Sequence, residues 1–384
     1  MKRSKITLIG LGLTPSTGGP SKTISLFKKA LSADVIAFTD FNLLDFEGSS
    51  IPGTCHIKID NSFIGKYYYW ARKKNTINAE KIVSSSALIS CHILWRYSSF
   101  WTYYLSKKYS IPYWIVLHGS LDPYVFTYRG FIKKFWYIIF GKFFLKNASK
   151  VICSTKYELD RVKTIYDERN LIQVYWPIDK VDTSNRDSIR TSFKLKLGID
   201  PNDRVLIFLG RFHGVKRPLE TIHAFILAKT NNTTLLMVGP YESYQQNELN
   251  SFILKHGGDI DKIKIIGPVY GEDKDNLLMV SDALISMSLK ENYGHVVAET
   301  LSVGNPVILS PGNALSDDLK NIECGWLLTD NSILTASQAI KEFSELSVTD
   351  LSRMGARGKA WADKNLNPLL FKEKMNKLVD DSLQ

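Results

Sequence analysis

Glu291 and Glu299 stand with seven residues between them. Inside that interval Gly294 precedes His295-Val-Val-Ala-Glu299-Thr-Leu-Ser-Val303, a stretch with helical character that Gly304 closes. Upstream, Asp282-Ala-Leu-Ile-Ser-Met reads as a short buried strand, which makes residues 291 to 294 its exit loop. The N-terminus of the helix then offers the backbone N–H groups of Gly294, His295, Val296 and Val297 to an anion. Glu299, one turn further in, is placed to accept hydrogen bonds from vicinal hydroxyls. A phosphate and a ribose together satisfy that arrangement, and Glu291 in the loop is positioned to hold hydroxyls of a sugar. A strand and helix with two solvated glutamates would have the same spacing, so the spacing alone does not choose between them.

Three further loops follow strand-like runs. Gly210-Arg-Phe-His-Gly-Val-Lys216-Arg217-Pro218 sits between the run Val205 to Leu209 and a helix. Its cations therefore lie at the carboxyl edge of a parallel sheet, where open α/β folds bind ligands. Arg211 brings a planar fork and Lys216 a point charge, a combination that neutralises a departing diphosphate. Arg217 is the poorer candidate, because adjacent side chains point apart. Gly12-Leu-Thr-Pro-Ser-Thr-Gly18-Gly19-Pro-Ser-Lys22 follows the first apolar run and could bring backbone amides to a phosphate, or could be a structural turn. It breaks both the Gly-Lys-Ser/Thr and the Gly-x-Gly-x-x-Gly patterns, so nucleotide triphosphate hydrolysis and dehydrogenation lose support. Trp114-Ile-Val-Leu-His118-Gly119 ends a strand in a histidine, either a packed residue or one turned to a ligand.

Taken together, these segments resemble the retaining family-four glycosyltransferases of the GT-B fold. In that group Glu-x7-Glu is followed by a small-residue helix and Gly-x-Pro-Val, here Gly304-Asn-Pro306-Val. The resemblance implies an α/β chain of two Rossmann-like doubly wound domains facing a central cleft. It implies that Glu291 contacts the donor sugar, that Glu299 binds the ribose, and that Arg211 and Lys216 meet the diphosphate. Gly18 and Gly19 would close over the donor phosphates, Val269 and Tyr270 would flank the base, and His118 would stand beside the donor sugar. Glu291, His118, Arg211 and Lys216 are the implied catalytic set. His118 through Asp122-Pro-Tyr and Ser154-Thr-Lys-Tyr157-Glu158 resemble the members that build bacterial surface polysaccharides. Trp176-Pro-Ile-Asp179 replaces the family's usual Pro-Asn-Gly, a departure in the donor-side segment. The resemblance implies neither metal nor cofactor.

At 384 residues the chain is long enough for two domains. Apolar runs alternate with helical stretches in both halves, the pattern of parallel sheets. The polar segment from Trp176 to Arg190 places the boundary near 180, and the resemblance implies an N-terminal acceptor-binding domain of 1–180 and a C-terminal nucleotide-sugar-binding domain of 181–384. A single last helix from about Leu351 to the end, holding Trp361, is expected to cross back onto the first domain, as in the family. No run reaches the roughly 18 apolar residues of a membrane span, and the N-terminal apolar run reads as a strand rather than a signal peptide. The scattered Cys55, Cys91, Cys153 and Cys324 argue for reduced thiols in a cytosol.

The net charge of +11 is uneven, with 26 basic and 12 acidic residues up to 180, against 23 and 26 beyond. In the first half the cations interleave with aromatics in two segments, Trp95 to Lys108 and Phe131 to Lys146. Such faces suit an anionic bilayer, with Lys133, Lys134 and Lys142 on the cationic edge. Core helices with solvated lysines give the same pattern. No nucleic-acid motif accompanies the charge. The resulting expectation is a cytoplasmic glycosyltransferase, peripheral to the inner face of the membrane. It would take a nucleotide-sugar donor and a saccharide acceptor, lipid-linked, in surface polysaccharide synthesis. A soluble GT-B transferase, epimerase or phosphorylase acting on a free acceptor, and a catalytically silent subunit binding nucleotide sugar or membrane, remain as alternatives.

Overall fold

The computed structural model describes residues 5–14, 19–49, 51–126 and 130–384. The chain divides into a first unit of Met1–Pro177 with Pro368–Gln384, and a second unit of Ile178–Asn367. Each is built on a parallel sheet. In the first unit the strands are β1 (Lys5–Leu11), β2 (Asp34–Thr39), β3 (Thr54–Lys58), β4 (Ser86–His92), β5 (Tyr113–Val116), β6 (Lys150–Cys153) and β7 (Leu171–Gln173), in spatial order β3-β2-β1-β4-β5-β6-β7. In the second they are β8 (Arg204–Leu209), β9 (Thr233–Val238), β10 (Ile263–Ile266), β11 (Ala283–Ser286), β12 (Val307–Leu309) and β13 (Gly325–Leu327), in order β10-β9-β8-β11-β12-β13. Both are doubly wound α/β sheets.

The central strands β1, β4, β8, β9 and β11 are almost wholly buried, because helices cover both faces. This is why they stand out in the sequence as continuous apolar runs. Around them two separate cores form, one through Ile9, Ile89, Ile115 and Phe144, the other through Leu206, Ile222, Met237 and Phe343.

The C-terminal segment is not one helix. Val348–Asn365, which carries Trp361, belongs to the second unit, and a separate helix, Pro368–Leu383, belongs to the first. Proline has no N–H to give and restrains the residue before it, so Pro368 ends one helix and opens the next. The returning helix packs on the helix Gly19–Leu31 through Phe371 and Phe27, whose rings lie 5.4 Å apart. Trp114 Nε1 donates to Ser382 Oγ at 2.9 Å.

The stretch read as a linker up to Arg190 is likewise part of the second unit from Ile178 onward. Arg186 and Arg190 open the helix Arg186–Lys196. Arg186 donates to the carbonyls of Met279, Ser281 and Val303 and to Asn305 Oδ1, tying together the ends of two helices. Arg190 pairs with Asp282 at 2.7 Å.

The helix His295–Ser302 is backed by Val348–Asn365 at very close range. A Cβ added at Gly355 would lie 2.0 Å from the carbonyl oxygen of Gly304. Gly355→Ala is therefore expected to destabilise the protein by about 2–3 kcal/mol by forcing the two helices apart, read as a lower midpoint in urea unfolding.

Candidate active site

In the second sheet β8 is followed by its neighbour on one side, β9, while β11 is followed by its neighbour on the other, β12. The crevice outside the carboxyl ends of β8 and β11 is thus a topological switch point, the usual ligand position in open α/β sheets. Two loops meet there. After β8, the turn Gly214–Lys216 is capped by His213, whose Nδ1 accepts from Val215 N at 3.1 Å. After β11, Leu289 N donates to Val215 O at 2.9 Å, binding one loop to the other.

Lys216 stretches along Gly210, whose absent Cβ would be 3.9 Å from its methylenes, and its ammonium pairs with the Glu291 carboxylate. Both side chains are about a quarter exposed, at 22% and 25%. Glu291 is fixed through its backbone, which exchanges hydrogen bonds with the β12 exit loop: Glu291 N donates to Gly312 O at 2.8 Å and Ala314 N to Glu291 O at 3.0 Å. A Cβ at Gly312 would fall 2.1 Å from Ser288 O, so only glycine allows these two backbones to lie so close. Asn313 locks the same loop by donating to Ser286 O at 3.0 Å and accepting from Ser286 Oγ.

The Glu291 side chain leans over Gly294, with Cγ 3.4 Å from the position a Cβ would occupy. Gly294, at φ 77°, is the N-cap of the helix His295–Ser302, and no side chain caps that end. The first-turn amides of His295, Val296 and Val297 therefore face the same crevice. Glu299 is buried one turn on, and its Oε1 accepts from Lys274 Nζ at 2.7 Å. Lys274 comes from the helix Gly271–Val280, whose N-cap, Tyr270, is 72% exposed in the β10 exit loop with Val269 beside it.

Arg211 does not join Lys216. Its guanidinium binds both oxygens of Glu242, at 2.7 and 2.8 Å, in the exit loop of β9. That pair is well exposed, with weak hold on the side chain. Arg217 turns away to the carbonyl of Asn331 and to Glu220. Lys274, Glu242, Gly312 and Asn313 were not found from sequence. The Pro311-Gly-Asn313 turn was visible as a signal, whereas no spacing rule links 274 to 299.

In the first unit, Gly18 lies outside the described residues, and Gly19 is the first residue of its helix. His118, at φ 49°, holds a backbone conformation uncommon for a side chain of its size. Its Nε2 is 3.0 Å from Nδ1 of His92, at the end of β4. One ring donates and the other accepts, and because both pKa values are lowered the pair is neutral near pH 7. Burial pushes His118 down to about 4, and burial and then His118 push His92 below its usual value. Glu158 is a buried clamp for this turn: its carboxylate accepts from Gly119 N at 2.5 Å and from Ser154 N and Oγ, each at 2.7 Å. Tyr157 instead carries the Arg161 guanidinium 5.1 Å above its ring.

The basic aromatic segments are helices, Tyr97–Tyr109 and the run from Gly130 to Lys146, which has a wider turn at Tyr137–Gly141. Phe131, Phe135, Ile138, Ile139 and Phe143 are exposed on the second, with Phe100 and Tyr104 on the first. Lys134, Lys142 and Lys146 are exposed beside them. Lys133 is a correction to the expected cationic edge: its ammonium donates to Val125 O at 2.8 Å. No helix among the described residues is long and apolar enough to cross a membrane.

Residues 189–361 match the family model of glycosyl transferases group 1. A D-inositol 3-phosphate glycosyltransferase of Rhodococcus jostii is 27% identical over 192 residues, covering 47% of this chain and 41% of that one. The chain spans under half the length of the curated relatives it matches. Among solved structures, Anabaena HepE in complex with UDP and glucose superposes with a TM-score of 0.75 at 17% identity, covering 97% of this chain and 99% of that one. WaaG, a glycosyltransferase involved in lipopolysaccharide biosynthesis, superposes with 0.65 at 14% identity, covering 97% and 99%. The fold is GT-B, and the second unit carries the match to the glycosyl transferases group 1 model.

The neutral histidine pair gives a pH signature. Because the folded state resists protonation, the stability it contributes is complete above about pH 6.5 and is lost as the pH falls toward 4. Thermal midpoints measured between pH 7 and 4.5 should drop over this window in the wild type and change less in His118→Asn.

Proposed function

We propose that the protein is a retaining glycosyltransferase that moves a sugar from a nucleoside-diphosphate sugar to a lipid-linked saccharide in bacterial surface-polysaccharide synthesis. The observation that carries the donor assignment is the Lys216–Glu291 pair at the switch point, beside the uncapped N-terminus of the helix His295–Ser302. The complexes of HepE with UDP, with UDP-glucose and with UDP and glucose support a donor of this kind.

The chemistry follows from charge. As the glycosidic bond breaks, negative charge collects on the leaving diphosphate. The helix amides, Lys216 and an Arg211 released from Glu242 offset it without a metal ion. Glu291 is then free to accept from hydroxyls of the sugar, and Glu299 from those of the ribose. Retention follows if the acceptor attacks from the face the phosphate leaves, with a phosphate oxygen taking its proton. His118, held neutral, serves this reaction as a hydrogen-bonding group rather than as a charge.

A lipid-linked acceptor accords with the aromatic face of the helical run up to Lys146 and with the role of WaaG. The exposed rings would settle into the interface of the inner leaflet while Lys134, Lys142 and Lys146 meet lipid phosphate. The relative acting on D-inositol 3-phosphate favours a second reading, a free small-molecule acceptor.

Two measurements test these readings. In EDTA, one family of nucleoside diphosphates and their sugars should raise the melting temperature, and the rise should vanish in Glu299→Ala and Lys216→Ala; no shift with any nucleotide would overturn the donor assignment. On phosphatidylglycerol vesicles at low salt, Lys134→Glu, Lys142→Glu and Lys146→Glu together should lower partitioning on the order of a hundredfold. Lys133→Gln should change it little, and unchanged partitioning in the triple variant would favour the free acceptor.

A further inference from the structure

A cavity of about 420 Å³ opens at the amino edge of the second sheet, the edge opposite the switch point. Its walls are the helix Arg186–Lys196, the residues that enter β8, β11 and β12, and the start of the helix Val348–Asn365. That size falls within the range of small-molecule sites, roughly 300–1,000 Å³. Arg186, Arg190 and Lys194 recur at every fourth residue of one helix and so share the face that lines the cavity. Arg204, at the start of β8, adds a fourth cation.

Three of the four bond carbonyl oxygens rather than carboxylates. Arg186 binds the ends of the helices Gly271–Val280 and His295–Ser302, and Arg204 donates to the carbonyls of Phe343 and Leu346 at the end of a third, Ile333–Glu345. Lys194 Nζ donates to Pro201 O at 2.8 Å and to Asp203 O at 2.6 Å. A helix end carries only about half a negative charge, so it offsets a full cation in part. Asp282 pairs with Arg190, while the Asp203 carboxylate is occupied by Lys262 at 2.7 Å. Asp187 and Asp200 are exposed to water, where their hold is screened. The helix Val348–Asn365 brings its positive end to the same place. The walls therefore keep a surplus of positive charge.

Much of that charge is withdrawn from solvent. Lys194 is 5% exposed and the Arg190 side chain 27%. Burial lowers the pKa of both Arg186 and Lys194, and the next cause in each is the charge of Arg190, which outweighs the attraction of Asp282. Arg190 gives only Nη2 to Asp282, so its Nε–H and Nη1–H have no protein acceptor among the described residues. An arginine with donors to spare, one helical turn from a buried ammonium, matches a phosphate, which accepts from several N–H groups at once. The rest of the cavity, bounded by Asn202, Gly304 and Ser352, has room for a small polar body attached to that phosphate.

We propose that this cavity, with Arg190 and Lys194 as its anion-binding groups, takes a small phosphate monoester. The site lies outside the donor crevice and does not depend on the transferase reading. Isothermal titration of the full chain with ribose 5-phosphate and with ribose, at low salt, tests it. Ribose 5-phosphate should bind saturably and one to one, and ribose should not. Arg190→Gln should weaken binding about tenfold. Ser352→Glu, an exposed change that sets a carboxylate at the cavity and keeps the test open if Arg190→Gln fails to fold, should weaken it about fivefold. Asp282→Asn retains an acceptor for Val205 N while releasing Arg190, and should tighten binding. Lys216→Met, at the donor crevice, should bind as the wild type does. The proposal is overturned if ribose 5-phosphate does not bind, if Lys216→Met abolishes its binding, if Arg190→Gln and Ser352→Glu leave it unchanged, or if Asp282→Asn weakens it as Arg190→Gln does. A defect of Arg190→Gln confined to partitioning onto phosphatidylglycerol vesicles would also overturn it, by assigning the phosphate to a lipid.

Discussion

The divergence of β8 and β11 is the constraint on which the second unit depends. Parallel strands deliver every exit loop to one edge. Where consecutive connections run to opposite sides, no crossover covers the gap, and a crevice is left. Two loops border it, one bringing Lys216 and the other Glu291, and the bond from Leu289 N to Val215 O fixes how closely they approach. The Arg211–Glu242 pair, about half exposed, is worth no more than about 1 kcal/mol, so exchanging that glutamate for a diphosphate costs little. Lys216, three-quarters buried, keeps a charged partner whether that partner is Glu291 or a diphosphate. Both cations are thus held in place by carboxylates until a more highly charged anion takes over.

Rigid backing lets these exchangeable pairs serve a precise site. Gly312 and Gly355 allow backbones to approach until no Cβ would fit, so the β12 exit loop and the helix Val348–Asn365 press directly on the loop and helix that carry Glu291 and Glu299. Arg186 fastens the far end of the same helix through Val303 O. In the first unit the Glu158 carboxylate has the corresponding part. Its bonds to Gly119 and Ser154, each charge-assisted and worth about 1.5–3 kcal/mol, hold the turn that carries His118. Buried carboxylates and glycine contacts supply the order, and the exposed groups remain free to exchange partners.

The legible and illegible parts of this architecture divide along physical lines. Strands buried on both faces, such as β4 and β9, announce themselves as apolar runs, and the glycine and charge signals after them locate the exit loops. The edge strands β3, β7 and β13 are only half-buried, so they leave no continuous apolar run in the sequence. The break at Pro368 was visible in Asn367-Pro368 but was overridden by the helical character on either side. Lys216 and Glu291 could be named from sequence, since each is tied to its own strand exit. The partnerships of Arg211 with Glu242, Lys274 with Glu299 and His92 with His118 could not, because each joins loops or helices from different parts of the sheet. Lys133 looked like its neighbours in sequence, and only the position of Val125 O distinguishes it.

Isothermal titration of UDP and UDP-glucose into wild type, Lys216→Met and Glu291→Gln tests the central claim most directly. If the pair at the switch point is the donor site, Lys216→Met weakens both ligands at least tenfold, while Glu291→Gln weakens UDP-glucose and leaves UDP as tight as in the wild type or tighter. Wild-type binding of both ligands that neither substitution alters would place the nucleotide elsewhere and contradict the account.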